Sequence, residues 1–122
     1  MRNVTRMMMA AGVALALLPA AALAHAHLDH AQPAAGAKLT QAPREVSLWF
    51  TEAVEPKFSS IVVQDAKGAA VQDGKAQGAA DNTAVLKVKL KTLTAGTYKV
   101  NWKVLSVDTH RTQGSFTFTV AP

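Results

Sequence analysis

The chain has 122 residues, no cysteine and a formal charge of +5. That suits one small domain and excludes a thiol nucleophile, a thiolate metal site and a disulfide staple. Most lysines alternate with apolar residues instead of forming a block, so the positive charge reads as a solvated strand face and leaves no footprint for DNA or RNA.

Residues 1–24 divide into three zones: Arg2 and Arg6 at a charged start, an apolar run from Met7 through Leu18, and Pro19 leading into small residues. This is the layout of a secretory leader, and Ala22-Leu23-Ala24 supplies a small-x-small cleavage site, so the expected cut falls after Ala24. The alternative is an uncleaved anchor, since Met7 to Ala24 carries no charge and is nearly long enough to span a bilayer. Pro19 and the alanine cluster favour cleavage. No cysteine follows the leader, so a lipid anchor is not expected. Cleavage leaves one domain, residues 25–122, and frees the α-amine of His25. With Arg2 and Arg6 gone, eleven basic residues face eight acidic ones, a net charge of +3. Met1 and Met7 to Met9, the four methionines of the chain, also leave with the leader. The exported domain then offers neither thiolate nor thioether, the soft ligands that favour Cu(I).

Downstream of residue 45 apolar residues recur with period two, the mark of half-buried strands. Val46, Leu48 and Phe50 alternate with Ser47 and Trp49; "SSIVVQD" over residues 59–65 is strand by its β-branched content. Leu86, Val88 and Leu90 alternate with lysines. Tyr98, Val100, Trp102 and Val104 share one face, and Phe116, Phe118 and Val120 close the chain. Turn signals separate them: Pro33 to Gly36, Pro43, Pro56, the small and polar stretch Ala66 to Asn82, and Gly96. The stretch 66–82 reads as a long exposed loop or an irregular hairpin. The expected fold is all-β: a small antiparallel Greek-key sandwich or barrel, immunoglobulin-like or cupredoxin-like.

Four histidines remain after export: His25, His27 and His30 at the start, His110 near the far end. If His25 is residue one, its amine and Nδ1 can chelate one metal ion. Asp108 and His110 are two apart, which in extended backbone puts both side chains on one side. Together they make three nitrogens and one oxygen, a set whose tetragonal arrangement suits Cu(II), with Ni(II) and Zn(II) weaker in the divalent series. Other readings stand beside this one. Asp-Thr-His between two strands is often only a turn, with Asp108 accepting backbone N–H bonds. His30 alone reads as a surface residue. His27, third from a free amine, can bind Cu(II) or Ni(II) through the amine, two deprotonated amides and its ring, a local site indifferent to Asp108 and His110.

"HAHL" after the leader, "LWFTEAVEPKFS" from Leu48 to Ser59, "AGTYKVNWKVLSVDTH" from Ala95 to His110 and "GSFTFTV" from Gly114 to Val120 together resemble the CopC copper-resistance proteins. The resemblance implies a periplasmic Greek-key β-sandwich that binds one Cu(II) per mature chain and works beside an inner-membrane copper partner of the CopD type. It carries the Cu(II) ligands onto His25 (amine and ring), Asp108 and His110. It places Glu52 of "FTE" beside the site, orienting a ligand or tuning its charge. His27 matches the family's "HAH" form without being one of its usual ligands. Some members hold a second, Cu(I) site in a loop rich in Met and His; Ala66 to Asn82 has neither, which implies a single Cu(II) site.

The expected role is binding for sequestration, resistance or hand-off, with no enzyme activity. One rival is a copper-dependent oxidative enzyme, because an N-terminal histidine with a second histidine resembles the brace of copper oxygenases. This chain shows no aromatic platform for a polymer, and a carboxylate ligand favours Cu(II) over Cu(I). Another rival is an immunoglobulin-like interaction module with incidental histidines. A hydrolase built on Ser106, Asp108 and His110 is weaker still, since three residues of one short segment do not readily make nucleophile, base and orienter.

Overall fold

The computed structural model describes residues 26–122; the leader, its cleavage site and His25 lie outside the described residues. Eight strands form two four-stranded sheets. The first runs β1 (Leu28–Gln32), β3 (Glu45–Phe50), β6 (Asn82–Leu90), β5 (Gln72–Ala79). The second runs β2 (Lys38–Leu39), β8 (Arg111–Val120), β7 (Gly96–Leu105), β4 (Ser60–Gln64). The chain repeatedly crosses between sheets, so that β3 pairs β6 and β4 pairs β7, the Greek-key manner of connection.

The period-two pattern builds the core directly. Val46, Leu48 and Phe50 of β3 and Leu86, Val88 and Leu90 of β6 face Val100, Trp102 and Val104 of β7 and Phe118 and Val120 of β8. Phe50 and Trp102 meet edge to face across the two sheets, ring centroids 5.2 Å apart. The indole of Trp102 lies over Gly114, its partner in the β7–β8 register. A Cβ at Gly114 would stand 2.6 Å from that ring, so glycine is what lets the indole reach the core.

Each strand expected downstream of residue 45 forms. The stretch 66–82 takes the irregular-hairpin form: β5 pairs β6 with register shifts between Asp73 and Gln77 and between Gly78 and Ala79, around Gly74 at φ 96°. Two short strands carried no usable signal. β1 pairs β3 with a shift between Leu28 and His30 that breaks its alternation, and β2 has only two residues. β2 runs parallel to β8, the one departure from an antiparallel sandwich among the described strands.

Where the chain crosses from β6 to β7, the Tyr98 hydroxyl donates to the Thr94 carbonyl at 2.6 Å and accepts the Thr94 N–H at 3.1 Å. Such a tyrosine corner ties the crossing to the start of the next strand. It anchors β7 at the end opposite the β7–β8 turn, where Asp108 and His110 sit.

Candidate metal centre

β7 and β8 are the longest strands, ten residues each, and a tight turn joins them. Ser106 N–H donates to the His110 carbonyl at 2.9 Å, and Thr109 N–H donates to the Ser106 carbonyl at 2.9 Å. Thr109 has φ 73°. This is a three-residue hairpin loop, a β-turn followed by a left-handed residue, with threonine where glycine is usual. Asp108 and His110 therefore approach each other by the curl of a turn, and extended backbone is not the cause. The turn brings the two side chains face to face: Asp108 Oδ1 lies 3.3 Å from His110 Nδ1, with 37% and 52% of the two side chains exposed.

Beneath the turn, Ser106 is 1% exposed and its hydroxyl donates to Asp108 Oδ1. That bond is the main reason the Asp108 carboxyl is held below its ordinary value of 3.8; desolvation opposes it and His110 adds to it. Ser106 is thereby committed to a carboxylate and buried, which removes it as a nucleophile beside His110.

The segment after β3 runs along this turn. Val54 bridges Ser106, Val107 N–H donates to the Ala53 carbonyl at 3.1 Å, and Glu55 N–H donates to the Leu105 carbonyl at 2.8 Å. Glu52 lies on this segment two residues before Val54, the residue that bridges Ser106.

The start of the described chain arrives at the same end. The Thr112 hydroxyl donates to the Ala26 carbonyl at 2.6 Å, and Ala26 is fully buried in the core. His27 N–H donates to Thr51 Oγ1 at 3.0 Å, and Thr51 N–H donates to the His27 carbonyl at 2.9 Å. Ala26 is thus held against the second residue after His110, and His27 against the residue before Glu52. His30 stands apart: exposed, its Nδ1 2.7 Å from Asp29 Oδ2, its ring stacked on Trp49 at 4.5 Å.

Among the described residues no three histidine or carboxylate side chains converge on one point. Asp108 and His110 supply one oxygen and imidazole nitrogen, and a third and fourth donor have to come from outside that pair. The donors suit a divalent ion of borderline softness. Sequence reasoning missed Thr51 and Thr112, which place the chain's start. Threonines on strands give no signal of their own, because only the tertiary pairing of residues 86 apart reveals the bond.

Residues 28–121 match the CopC domain family. The chain is 42% identical over 98 residues to Protein YobA of Escherichia coli K12, covering 80% of this chain and 79% of that one. It is 37% identical over 111 residues to Copper resistance protein C of Pseudomonas syringae pv. tomato, covering 85% and 86%. Among solved structures, CopC from Methylosinus trichosporium OB3b superposes with a TM-score of 0.76 at 38% identity, covering 80% of this chain and 95% of that one. PcoC, a methionine-rich copper resistance protein from Escherichia coli, superposes at 0.70 and 32% identity, covering 80% and 99%. With a family match over most of its length and relatives of this similarity aligned over 79% and 86% of their own length, the chain belongs to the CopC family.

Proposed function

We propose that the exported, leader-cleaved chain binds one Cu(II) ion as cargo through the amine and ring of His25, Asp108 and His110. Its role is copper sequestration, resistance or hand-off to an inner-membrane copper partner of the CopD type, in the periplasm and without a catalytic step. The observation that carries the reading is the Thr112–Ala26 hydrogen bond at 2.6 Å. It fixes the residue that follows His25 onto the strand that begins just after His110.

The chemistry agrees. Three nitrogens and one carboxylate oxygen form a set that Cu(II) takes more tightly than its neighbours in the divalent series. Asp108, its carboxyl held low by Ser106, keeps its negative charge to lower pH than a free carboxylate. Glu52, which follows the Thr51 that holds His27, adds negative charge near a doubly charged cargo. Where PcoC is described as methionine-rich, this chain has no methionine after Met9, which leaves Cu(I) no thioether.

A competitive Cu(II) titration of residues 25–122 beside its His110→Ala variant tests the reading. A loss of affinity of about a hundredfold or more, roughly 2.7 kcal/mol, is expected in the variant. Equal affinity would place copper elsewhere and overturn the assignment.

A further inference from the structure

His25, Ala26 and His27 open the exported chain with a histidine in third place. With the His25 amine free, such a tripeptide can wrap a square-planar ion unaided. The donors are the amine, the deprotonated amide nitrogens of Ala26 and His27, and the His27 ring. Ni(II) and Cu(II) are the ions that accept this geometry. The chelate requires both amide nitrogens to aim at one metal, with the three residues curled around it.

The fold holds these residues in another way. The His27 nitrogen directs its N–H at Thr51 Oγ1, 3.0 Å away, so a metal on that nitrogen would have to take the place of the Thr51 hydroxyl. The His27 carbonyl is taken by Thr51 N–H and the Ala26 carbonyl by the Thr112 hydroxyl. The Ala26 side chain is buried in the core, so curling the tripeptide would also draw it out.

We infer that Thr51 and Thr112 are specificity-determining residues: by pinning the Ala26–His27 backbone they deny the chain its own local amide chelate. The His25 amine is then left to the site that spans the two ends of the chain. The inference rests on the reading that His25 is the first residue of the exported form. A hydrogen bond of this kind shifts an equilibrium by roughly fivefold, so three of them suppress the curled form by about a hundredfold. The ion most affected is Ni(II), for which the planar amide chelate is the favoured mode and the mixed nitrogen and oxygen set is the poorer one. The pair of threonines therefore selects between metals as well as between sites.

Ni(II) alone, added to the chain confirmed by mass to begin at His25, tests this. Nickel in the amide chelate is low-spin, yellow and diamagnetic; nickel on imidazole and carboxylate is high-spin, pale and paramagnetic. The native chain is expected to give no yellow species at one equivalent, while the same chain in urea gives it. The double variant Thr51→Val, Thr112→Val, confirmed folded by circular dichroism, loses the two hydroxyl bonds and keeps the Thr51 N–H bond to the His27 carbonyl, so it is expected to form the yellow species in native buffer about twenty-five-fold more readily. The double variant Thr51→Ser, Thr112→Ser, which keeps both hydroxyls, is expected to behave as the native chain.

A yellow species in the native chain would overturn the inference, as would a folded double-valine variant without one. If the double valine variant does not fold, the single variants Thr51→Val and Thr112→Val decide: each is expected to form the yellow species about fivefold more readily than the native chain, and a folded single variant without that gain would overturn the role of its hydroxyl. Copper binding that ignores His110→Ala, together with colourless native nickel, would sink the copper reading and leave the block standing. A yellow native species with His110→Ala still weakening copper would sink the block alone.

Discussion

The Ser106 hydroxyl, almost wholly out of solvent, donates its proton to the Asp108 carboxylate at the tip of the β7–β8 turn. The two residues are two apart in sequence, and the turn folds one onto the other. A carboxylate that accepts such a bond keeps its charge at lower pH than a free one.

Ser106→Ala is expected to move the Asp108 carboxyl back up toward its ordinary value of 3.8. Because the folded pKa is depressed, the stabilisation is present above the ordinary value and is lost as pH falls through the lower, folded one. Carboxyl titration of the metal-free protein by NMR checks this. The wild-type midpoint should lie below 3.8 and the variant's above the wild type's; coincident midpoints would remove the hydroxyl as the cause.

Copper affinity should weaken as pH falls. A free α-amine titrates near about 8. Below that value the metal must displace its proton, at roughly tenfold in affinity per pH unit for each proton displaced. An added methionine ahead of His25 would turn the amine into an amide and is expected to cost at least about tenfold, about 1.4 kcal/mol. Cu(II) competition at two pH values, with and without that extension, reads both effects. An affinity indifferent to both would rule out the amine as a donor.

Thr109 occupies the left-handed region at φ 73°. That conformation costs a β-branched residue about 1–2 kcal/mol, whereas glycine adds about 0.5–1 kcal/mol of chain entropy instead. Thr109→Gly is therefore expected to stabilise the metal-free fold by up to about 1.5 kcal/mol. A urea midpoint that rises without a change in slope is the sign to look for, and a lower midpoint would mean the threonine is held without strain.

Gly114→Ala would press a methyl to within 2.6 Å of the Trp102 indole. Overpacking of this kind costs about 1–3 kcal/mol, which in a domain of this size lowers the melting temperature by roughly 4–8 °C per kcal/mol. Thermal melts followed by tryptophan emission would show it. An unchanged melting temperature would mean the indole has room to withdraw.

Where β-branched and aromatic residues alternate with polar ones, as in Tyr98 to Val104, the strand and its buried face were legible from the residues alone. β1 was not, because its register shift at Leu28/His30 breaks the alternation that a reader relies on. β2 is too short to show any period. The same division runs through the site. Asp108 and His110 were visible as a pair, though a turn brings them together where extended backbone was expected. Ser106 read as a weak nucleophile candidate and turned out to be Asp108's donor. Thr51 and Thr112 act through partners 24 and 86 residues distant, which no local pattern announces.

Ala26 is closed off inside the core, its carbonyl already engaged by Thr112. If the leader is cut before His25, as proposed, a peptidase has to draw the backbone on both sides of that bond into its cleft, and Ala26 is not available for this once it is buried. On that reading the cut precedes closure of the sandwich, and a precursor that closes early would keep its leader.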